Sequence, residues 1–346
     1  MSRFLLVRLG ALGDIVHAIP VAAALRRAFP AAGIDWLVSA RHRALLDLVP
    51  VIDRRLVIRD RPGAGDGTTL LTAIGELRRS RYDVAFDLQG LLKSAILARA
   101  SGATRVIGFS SAYLRERVAR PFYTEVYDPG LGGMRDTRET RHVVQTNLGM
   151  LTQIGITAGA PEFPIEGTES NVAKAMREET GGRYALLNPG AGWPNKRWPA
   201  DRFATLARTL RERHGLGSIV TWGPGEESLA QEVARQSAGS ARLAPRTSIA
   251  DLVAIIRGAT VMIAGDTGPT QIAAAVGTSL VGIYGPTRPS RNGPWAADDI
   301  TVSRDTICHC HHRRSCHMPR MCLLDIEADE VVRAVERRLD AGSGRV

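Results

Sequence analysis

An aspartate that directly follows a glycine turn is the first residue whose position suggests chemistry. Asp14 comes after Gly10–Gly13, and this turn ends the apolar run Phe4–Leu9. A carboxylate where a strand passes into a helix can cap the helix or take a proton as a general base. His17 lies three residues further along, on the same helical face, where it either orients Asp14 or is an ordinary polar neighbour. The pattern leaves these alternatives open.

A longer glycine-rich loop, Asn188–Trp198, ends in Lys196 and Arg197. Its backbone N–H groups and its cations suit the oxygens of a phosphate, although an exposed basic loop is the plainer alternative. Lysine is rare in this chain: 3 of the 45 basic residues are lysines and 42 are arginines. An ammonium is a compact point charge, and it contacts a phosphate differently from a planar guanidinium. A lysine at this position, in a chain that otherwise uses arginine, therefore favours a function for Lys196. Gly192 is predicted to contact the same ligand.

Two further turns follow apolar runs in the second half of the chain. In Gly265–Pro269, small residues and a hydroxyl begin a helix, where free N–H groups and the helix dipole favour an anion. We expect Thr267 and Gly268 to contact a phosphate there. After Gly223–Gly225, the carboxylate of Glu226 suits ribose hydroxyls, or is an ordinary acidic residue at a helix start. The second half therefore predicts a nucleotide diphosphate site, and the first half a base.

The apolar pattern between these turns alternates strands with helices. The predicted strands are Phe4–Leu9, Ile34–Ser39, Arg55–Ile58, Val84–Leu88, Val106–Phe109, Tyr184–Leu187, Ser218–Trp222, Val261–Ala264 and Ser279–Tyr284. The predicted helices are one that follows the first turn from Ile15 to Leu25, then Leu70–Arg79, Leu91–Ala100, Ala200–His214, Glu226–Ser237, Ile249–Gly258, Thr270–Val276 and Glu330–Leu339. Such alternation predicts parallel sheets with each turn at the carboxyl end of a strand, where open α/β sheets bind ligands.

The alternation breaks between Gly155 and Gly182, where Gly, Pro, Thr and Glu surround a short helical piece, Val172–Glu179. We therefore predict an α/β protein with two Rossmann-like, doubly wound domains that face a central cleft. The predicted boundaries are 1–160 for the first domain, 161–182 for a linker, 183–328 for the second domain and 329–346 for a C-terminal helix and tail.

Composition and charge restrict the class of protein. The 346 residues are 44% hydrophobic and 23% charged, which is typical of a folded chain with more than one core. Glycines and Pro286 interrupt the longest uncharged stretch, Thr267–Thr287, so no membrane helix is predicted. Arg8 interrupts the first apolar run, so we expect no secretory signal and a cytoplasmic protein. The net charge of +10 suits an anionic partner, although high-GC coding explains it equally well.

Other functional classes lack motif support. Gly10 and Gly13 do not fit G-x-G-x-x-G, and no G-K-[ST] occurs, which argues against a nicotinamide dehydrogenase and a P-loop enzyme. No helix-turn-helix, aromatic RNA platform or standard zinc finger is recognisable. We therefore expect no nucleic-acid partner, although a basic nucleic-acid-binding protein is the alternative from a different class.

All the cysteines fall in one segment that also contains four histidines: Cys308, Cys310, Cys316 and Cys322, with His309, His311, His312 and His317. The spacing C-x-C-x5-C-x5-C is not a standard zinc pattern. Reduced buried thiols or redox-labile disulfides explain the segment as well as a bound zinc or iron ion, whose role would be structural.

Four motifs resemble, in order along nearly the whole chain, glycosyltransferase family nine, the ADP-heptose:lipopolysaccharide heptosyltransferases. They are Arg8–His17, Asp87–Ser94, Asn188–Trp198 and Gly265–Pro269. The resemblance implies a GT-B fold whose N-terminal domain binds the acceptor and whose C-terminal domain binds the nucleotide sugar. It implies an inverting enzyme that transfers heptose from ADP-heptose to the Kdo-lipid A or inner core of lipopolysaccharide. A related transferase that uses another nucleotide sugar or a protein acceptor is the nearer alternative.

The resemblance also implies the catalytic roles. Asp14 would deprotonate the acceptor hydroxyl for direct attack on the anomeric carbon, and Lys196 would neutralise the leaving diphosphate. No catalytic metal or other cofactor is required, because lysine and helix dipoles do the electrostatic work.

On the donor side, the resemblance assigns sugar hydroxyls to Asp266, a phosphate to Thr267 and Gly268, and the ribose to Glu226. One residue departs from the family pattern, which commonly has a histidine where this chain has Gln271. We expect donor or sugar preference to differ accordingly.

On the acceptor side, the predicted contacts are Gly13, His17, Lys93 and Arg120. A basic face formed by Lys93, Arg115, Arg117 and Arg120 would suit Kdo and phosphate groups of a lipid A core at the inner leaflet. A solvated arginine face is the alternative. Because no lipid anchor is evident, we expect a peripheral contact with the inner face of the cytoplasmic membrane. The oligomeric state is not predicted.

Overall fold

The computed structural model describes residues 2–59, 67–130, 132–134, 136, 139–311 and 313–343. It divides into two compact units, Met1–Glu166 and Gly167–Val346. The division falls inside the predicted linker 161–182. His312 of the cysteine segment and residues 344–346 of the predicted tail lie outside the described residues.

In the described part of unit 1, six parallel strands form one sheet in the order β3-β2-β1-β4-β5-β6. The strands are β1 Arg3–Val7, β2 Gly33–Ser39, β3 Arg54–Ile58, β4 Val84–Asp87, β5 Arg105–Phe109 and β6 Glu125–Tyr127. The helices are α1 Leu12–Val16, α2 Ile19–Ala28, α3 Arg43–Leu46, α4 Leu70–Ser80, α5 Leu92–Ala100 and α6 Val143–Gly149.

The described part of unit 2 repeats this strand order with a second parallel sheet, β12-β11-β10-β7-β8-β9. Its strands are β7 Tyr184–Asn188, β8 Gly217–Val220, β9 Ala241–Leu243, β10 Val261–Gly265, β11 Leu280–Tyr284 and β12 Ile300–Ser303. Its helices are α7 Asn171–Glu179, α8 Ala200–His214, α9 Glu227–Gln236, α10 Ile249–Gly258, α11 Gly268–Val276, α12 Pro289–Asn292 and α13 Ala328–Ser343.

The central strands are buried along their length because helices cover both faces of a doubly wound sheet. Every residue of β7, β10 and β11 is buried. In unit 2 the apolar cluster includes Trp198, whose indole N–H donates to the carbonyl of Ile326 at 2.8 Å and whose ring packs edge-on against Phe203. This contact fixes the far end of the loop that carries Lys196.

The strand order reverses between β1 and β4 in unit 1, and between β7 and β10 in unit 2. Ligands of doubly wound folds bind outside the carboxyl ends of the strands at these switch points. The four motifs of the sequence are the four turns at these points: Arg8–His17 follows β1, Asp87–Ser94 follows β4, Asn188–Trp198 follows β7 and Gly265–Pro269 follows β10.

Some predicted elements need correction. The single helix predicted after the first turn is two helices, α1 and α2, because Pro20 lies at the N-terminus of α2 and has no N–H with which to continue α1. Three strands were not predicted, β6, β9 and β12, and all three are short edge strands with half-exposed residues. The predicted linker contains α7, which packs against α10 in unit 2.

Candidate active site

Asp14 is the third residue of α1, and one of its carboxylate oxygens is held by two arginines. Its Oδ2 lies 2.6 Å from Nη2 of Arg8 and 2.9 Å from Nη2 of Arg115. The same oxygen accepts the backbone N–H of Ala11 at 3.3 Å. Burial raises the pKa of Asp14, but the charges of Arg8, Arg115 and His17 outweigh burial and hold this pKa well below its usual value. Asp14 is therefore ionised at neutral pH.

The turn after β4 holds the Asp14 turn in place through a buried carboxylate. Asp87 accepts the N–H groups of Gln89 and Gly90 and the hydroxyls of Ser94 and Tyr123, at 2.7–3.2 Å. Burial raises the pKa of Asp87, while these hydrogen bonds favour the ionised form. The second motif thus has a positioning role.

Two contacts connect the turn after β4 to the Asp14 turn. The side-chain oxygen of Gln89 accepts the N–H of Leu9 at 2.6 Å, and the guanidinium of Arg8 donates to the carbonyl of Leu88. Because Val7 and Asp87 are also partners in the sheet, the ends of β1 and β4 are locked together. Arg8 is thereby fixed against Asp14.

Of the predicted acceptor residues, Gly13 and His17 lie in this turn. The carbonyl of Gly13 accepts the N–H of His17 at 3.0 Å. His17 is only 3% exposed, and its ring packs edge-on against His142. A direct contact of His17 with an acceptor stays a prediction, and it would require exposure of the ring. Lys93 lies half-buried in α5, and Arg120 donates to the carbonyl of Tyr123 at 3.4 Å.

In unit 2, Lys196 is joined to Asp266. Nζ of Lys196 lies 2.6 Å from Oδ2 of Asp266 and 4.5 Å from the ring centroid of Trp193. The two side chains are 14% and 9% exposed, so the pair is largely removed from water. The aromatic face and the carboxylate together fix the position of the ammonium. The loop after β7 and the turn after β10 are thus brought to one place, as their sequences predict.

The turn after β10 leads into α11, whose N-terminus has no side-chain cap. The side chain of Thr267 instead lies 2.8 Å from Oγ1 of Thr270. The helix begins at Gly268, earlier than predicted, with Pro269 in its first turn. Its first N–H groups and its dipole suit a phosphate, and the contacts of Thr267 and Gly268 with one stay predictions.

Gln271, which replaces the usual histidine of the resemblance, is 3% exposed and engaged with Asp266. Its Nε2 donates to Oδ1 of Asp266 at 3.3 Å and to the carbonyl of Asn292 at 2.9 Å. Both oxygens of Asp266 therefore already have one partner. Each retains a further lone pair with which to accept a sugar hydroxyl.

Glu226 ends the turn after β8, and its carboxylate lies against the loop after β7. Its Oε2 accepts the N–H of Gly223 at 3.1 Å. A Cβ added to Gly190 would lie 2.1 Å from the same oxygen, so a larger residue there would displace the Glu226 carboxylate. The predicted ribose contact stays a prediction, but the structure places Glu226 beside the loop that carries Lys196.

Gly265, the last residue of β10, lies close to the backbone of the loop that carries Lys196. A Cβ on Gly265 would lie 2.9 Å from the backbone oxygen of Lys196, so the loop must shift in Gly265→Ala. We expect this overpacking to lower the free energy of unfolding by about 1–3 kcal/mol and to weaken binding of the predicted nucleotide diphosphate. Urea denaturation and calorimetry with ADP measure the two effects.

Gly192→Ala is the matched control for that variant. Nothing lies within 4 Å of a Cβ added to Gly192, so we expect wild-type stability. A loss of ADP affinity in Gly192→Ala with unchanged stability would indicate that the ligand itself contacts Gly192. Wild-type stability and ADP affinity in Gly265→Ala would contradict the proposed close contact.

The four cysteines are free thiols that lie in pairs. Sγ of Cys310 lies 3.2 Å from Sγ of Cys316 and 3.4 Å from Nδ1 of His317. Burial, with the neighbouring thiol of Cys308, raises the pKa of Cys322 to about 12. Among the described residues, which exclude His312, no group of three or more Cys, His, Asp or Glu side chains is arranged to hold a metal ion.

The cysteine segment supports the Lys196 loop by ordinary hydrogen bonds. The side-chain N–H of Asn195 donates to the carbonyl of Arg313 at 3.1 Å. The two ring nitrogens of His311 lie 3.1 Å from the carbonyl of Pro286 and 2.9 Å from that of Asp305. The segment is therefore part of the scaffold of unit 2.

The architecture, two doubly wound units with matching strand order, is the GT-B fold of glycosyltransferases. It is similar to the heptosyltransferase WaaC of Escherichia coli, solved with ADP, with a TM-score of 0.73 and 21% identity over 98% of each chain. The family profile "Glycosyltransferase family 9 (heptosyltransferase)" matches residues 71–321, and the chain belongs to that family.

Two curated relatives cover almost the whole chain. Lipopolysaccharide heptosyltransferase 1 of Pseudomonas aeruginosa is 29% identical over 91% of this chain and 87% of its own length. Lipopolysaccharide heptosyltransferase 3 of Escherichia coli K12 is 28% identical over 94% of this chain and 95% of its own length. The family and fold inferred from the four motifs are confirmed. In the parts of the chain that the structure describes, no helix has both the length and the apolar character to cross a bilayer.

Sequence reasoning did not predict the contacts that surround the predicted catalytic groups. Arg8 and Arg115 bind Asp14, and Trp193 lies under Lys196. Arg8 and Trp193 stand within the motifs, so a search for a charge or ring next to each functional residue could have found them. Arg115 lies 101 positions from Asp14, and no local signal connects the two.

Proposed function

We propose that this protein transfers heptose from ADP-heptose to the Kdo-lipid A or inner-core region of a lipopolysaccharide precursor. The observation that carries the proposal is the Lys196–Asp266 pair beside the uncapped N-terminus of α11, at the switch point of unit 2. A fixed ammonium and helix N–H groups at one place suit a nucleotide diphosphate. Membership of the heptosyltransferase family and the names of the curated relatives support ADP-heptose as the donor.

The proposed reaction is a single displacement that inverts the anomeric carbon. Asp14 accepts the proton of the acceptor hydroxyl as its oxygen attacks, and the bond between the anomeric carbon and the diphosphate breaks. Lys196 and the dipole of α11 stabilise the charge that develops on the departing ADP. Asp266 and Glu226 hold hydroxyls of the sugar and of the ribose. These side chains supply the required base and cation, so the proposed step uses no metal.

The acceptor is proposed to be anionic and to lie at a membrane surface. Arg115 and Arg117 are exposed in unit 1, and Lys93 and Arg120 are half-buried there. Guanidinium and ammonium groups suit the carboxylates and phosphates of a lipid A core. This chemistry supports a cytoplasmic protein that binds the inner face of the cytoplasmic membrane peripherally.

The experiment that tests the proposal measures ADP release by the purified protein from ADP-L-glycero-D-manno-heptose. Reactions run with and without a heptose-deficient Kdo-lipid A acceptor, and mass spectrometry follows the lipid. We expect ADP release to depend on the acceptor and the lipid to gain the mass of one heptose. Turnover with another nucleotide sugar, or with a protein acceptor only, would overturn the proposed substrates while leaving a glycosyltransferase.

A further inference from the structure

The two arginines on Asp14 differ in how firmly they are held. Arg8 is 6% exposed, lies at the end of β1 and donates to the carbonyl of Leu88. Arg115 is 43% exposed and reaches the same oxygen of Asp14 from the loop after β5. A long side chain with this exposure loses and regains its contacts easily. Arg8 is therefore the fixed partner of Asp14, and Arg115 is the exchangeable one.

Arg115 also lines a cavity of about 420 Å³ in unit 1. Arg117, Ser111 and Asp136 contribute polar side chains to the same cavity. This volume fits a small ligand such as one sugar ring. Two guanidinium groups suit a carboxylate or a phosphate, while a hydroxyl and a carboxylate suit the hydroxyls of a sugar. The lining therefore fits an acidic sugar better than a neutral one or a simple hydrophobic group.

The two ion pairs reduce the ability of Asp14 to accept a proton. A general base works best when its pKa lies near the working pH. A carboxylate that two guanidiniums neutralise is ionised but accepts a proton poorly, because each nearby cation lowers its pKa by about one to three units. The groups that face Asp14 are Arg8, which directly follows β1, Arg115 from the loop after β5, and His17 and the N–H of Ala11 from its own turn. Only Arg115 among them also lines the cavity.

We propose that an acidic sugar of the acceptor binds in this cavity, draws Arg115 away from Asp14, and so makes Asp14 an effective base only when the acceptor is present. Arg115 is then a positioning residue that couples acceptor binding to proton transfer. The coupling protects the donor, since an unrestrained base would also activate water. This inference rests on the proposed function, because it takes Asp14 as the base and an anionic acceptor as the substrate.

A measurement that needs no turnover tests the coupling. The full-length protein is labelled with ¹³C at the aspartate carboxyl carbons, Asp14 is assigned with Asp14→Asn, and its pKa is followed by NMR. Inorganic phosphate, the first probe, is expected to raise the pKa of Asp14. Arg115→Gln is expected to raise it by about one to three units without phosphate, and phosphate should then add little.

Arg117→Gln is the matched control, since it removes a guanidinium from the cavity and leaves both ion pairs of Asp14 in place. We expect it to weaken the response to phosphate and to leave the starting pKa of Asp14 unchanged. A pKa that neither phosphate nor Arg115→Gln moves would overturn the coupling. An equal rise of the starting Asp14 pKa in Arg117→Gln and in Arg115→Gln would also overturn the coupling. The loss of any positive charge from the cavity would then explain both shifts.

A second arm identifies the source of the anion. The Kdo-lipid A acceptor in detergent replaces phosphate in the same titration, with a neutral-headed lipid as the comparison. A rise in the Asp14 pKa with the acidic glycolipid supports the proposal, and a response to inorganic phosphate alone overturns the acceptor as the ligand.

Enzyme kinetics of Arg115→Gln provide a third test of the coupling. With donor and no acceptor, Arg115→Gln is expected to release ADP several-fold faster than wild type, because water meets an unrestrained base. With the full acceptor, its kcat/KM is expected to fall and the acid limb of its pH profile to move to higher pH. Absence of transfer to any acceptor, with the NMR response intact, would refute the proposed function but leave the coupling. Unchanged ADP release without acceptor and an unmoved acid limb would refute the coupling.

Discussion

Replacing Asp14 with asparagine is expected to lower kcat for heptose transfer by about 10²–10⁴-fold, which is the usual contribution of a positioned general base. The amide has nearly the same shape and can still accept a hydrogen bond from Arg8, but it cannot take the proton of the acceptor hydroxyl. Initial rates of ADP release at saturating donor and acceptor measure the effect.

Donor binding distinguishes a lost base from a damaged protein. The predicted donor residues all lie in Gly167–Val346, whereas Asp14 lies in Met1–Glu166. The affinity for ADP, measured by calorimetry, is therefore expected to be unchanged in Asp14→Asn. The variant leaves Arg8, which is 6% exposed, without its counter-charge, so we expect a lower melting temperature. Transfer at the wild-type rate by a folded variant would remove Asp14 as the base.

The turns that hold the candidate site were predictable because each has a local signature. An apolar run followed by glycine and then a helical pattern predicts a strand, a turn and a helix, and this held for Asp14 and for Asp266. The doubly wound fold follows, since parallel strands joined by helices allow few arrangements. The edge strands β6, β9 and β12 were missed because half-exposed strands of three or four residues have no apolar run.

The partners of the functional side chains were less predictable, because they depend on tertiary contacts. Asp87 was recognised only as part of a motif, yet its hydrogen bonds with Ser94 and Tyr123 hold the turn after β4, which contacts the Asp14 turn through Gln89. The ion pair of Arg115 with Asp14 joins residues 101 positions apart. Such a contact lowers the basicity of Asp14, whereas the sequence alone already points to Asp14 as the candidate base.

Gln271 stands where members of the family commonly have a histidine, and its contacts show what this difference changes. Its amide donates to Asp266 and to the carbonyl of Asn292, so it holds the carboxylate that pairs with Lys196. An amide in that place stays uncharged at every pH, whereas a histidine would titrate near neutral pH. The contact with Asp266 therefore does not depend on the protonation of residue 271.

Replacing Lys196 with alanine is expected to weaken both ADP binding and transfer, with kcat lower by about 10²–10³-fold. Nζ of Lys196 is the cation held over Trp193 and against Asp266, where charge on the departing diphosphate would develop. Lys174→Ala is the matched control, because Lys174 is exposed on α7 and its loss changes the net charge equally. We expect wild-type kinetics from that control.

The remaining question about Lys196 is whether its loss acts through the ligand or through Asp266. Lys196→Ala leaves Asp266, which is 9% exposed, without its cation, and an uncompensated carboxylate there would itself repel a diphosphate. Combining Lys196→Ala with Asp266→Asn removes that charge. We expect the double variant to recover part of the ADP affinity and none of the transfer rate, since no cation is left to stabilise the leaving group. Recovery of wild-type transfer would show that Lys196 serves only to neutralise Asp266. Lys196→Arg is expected to fall between these limits, because a guanidinium keeps the charge but not the compact geometry of an ammonium.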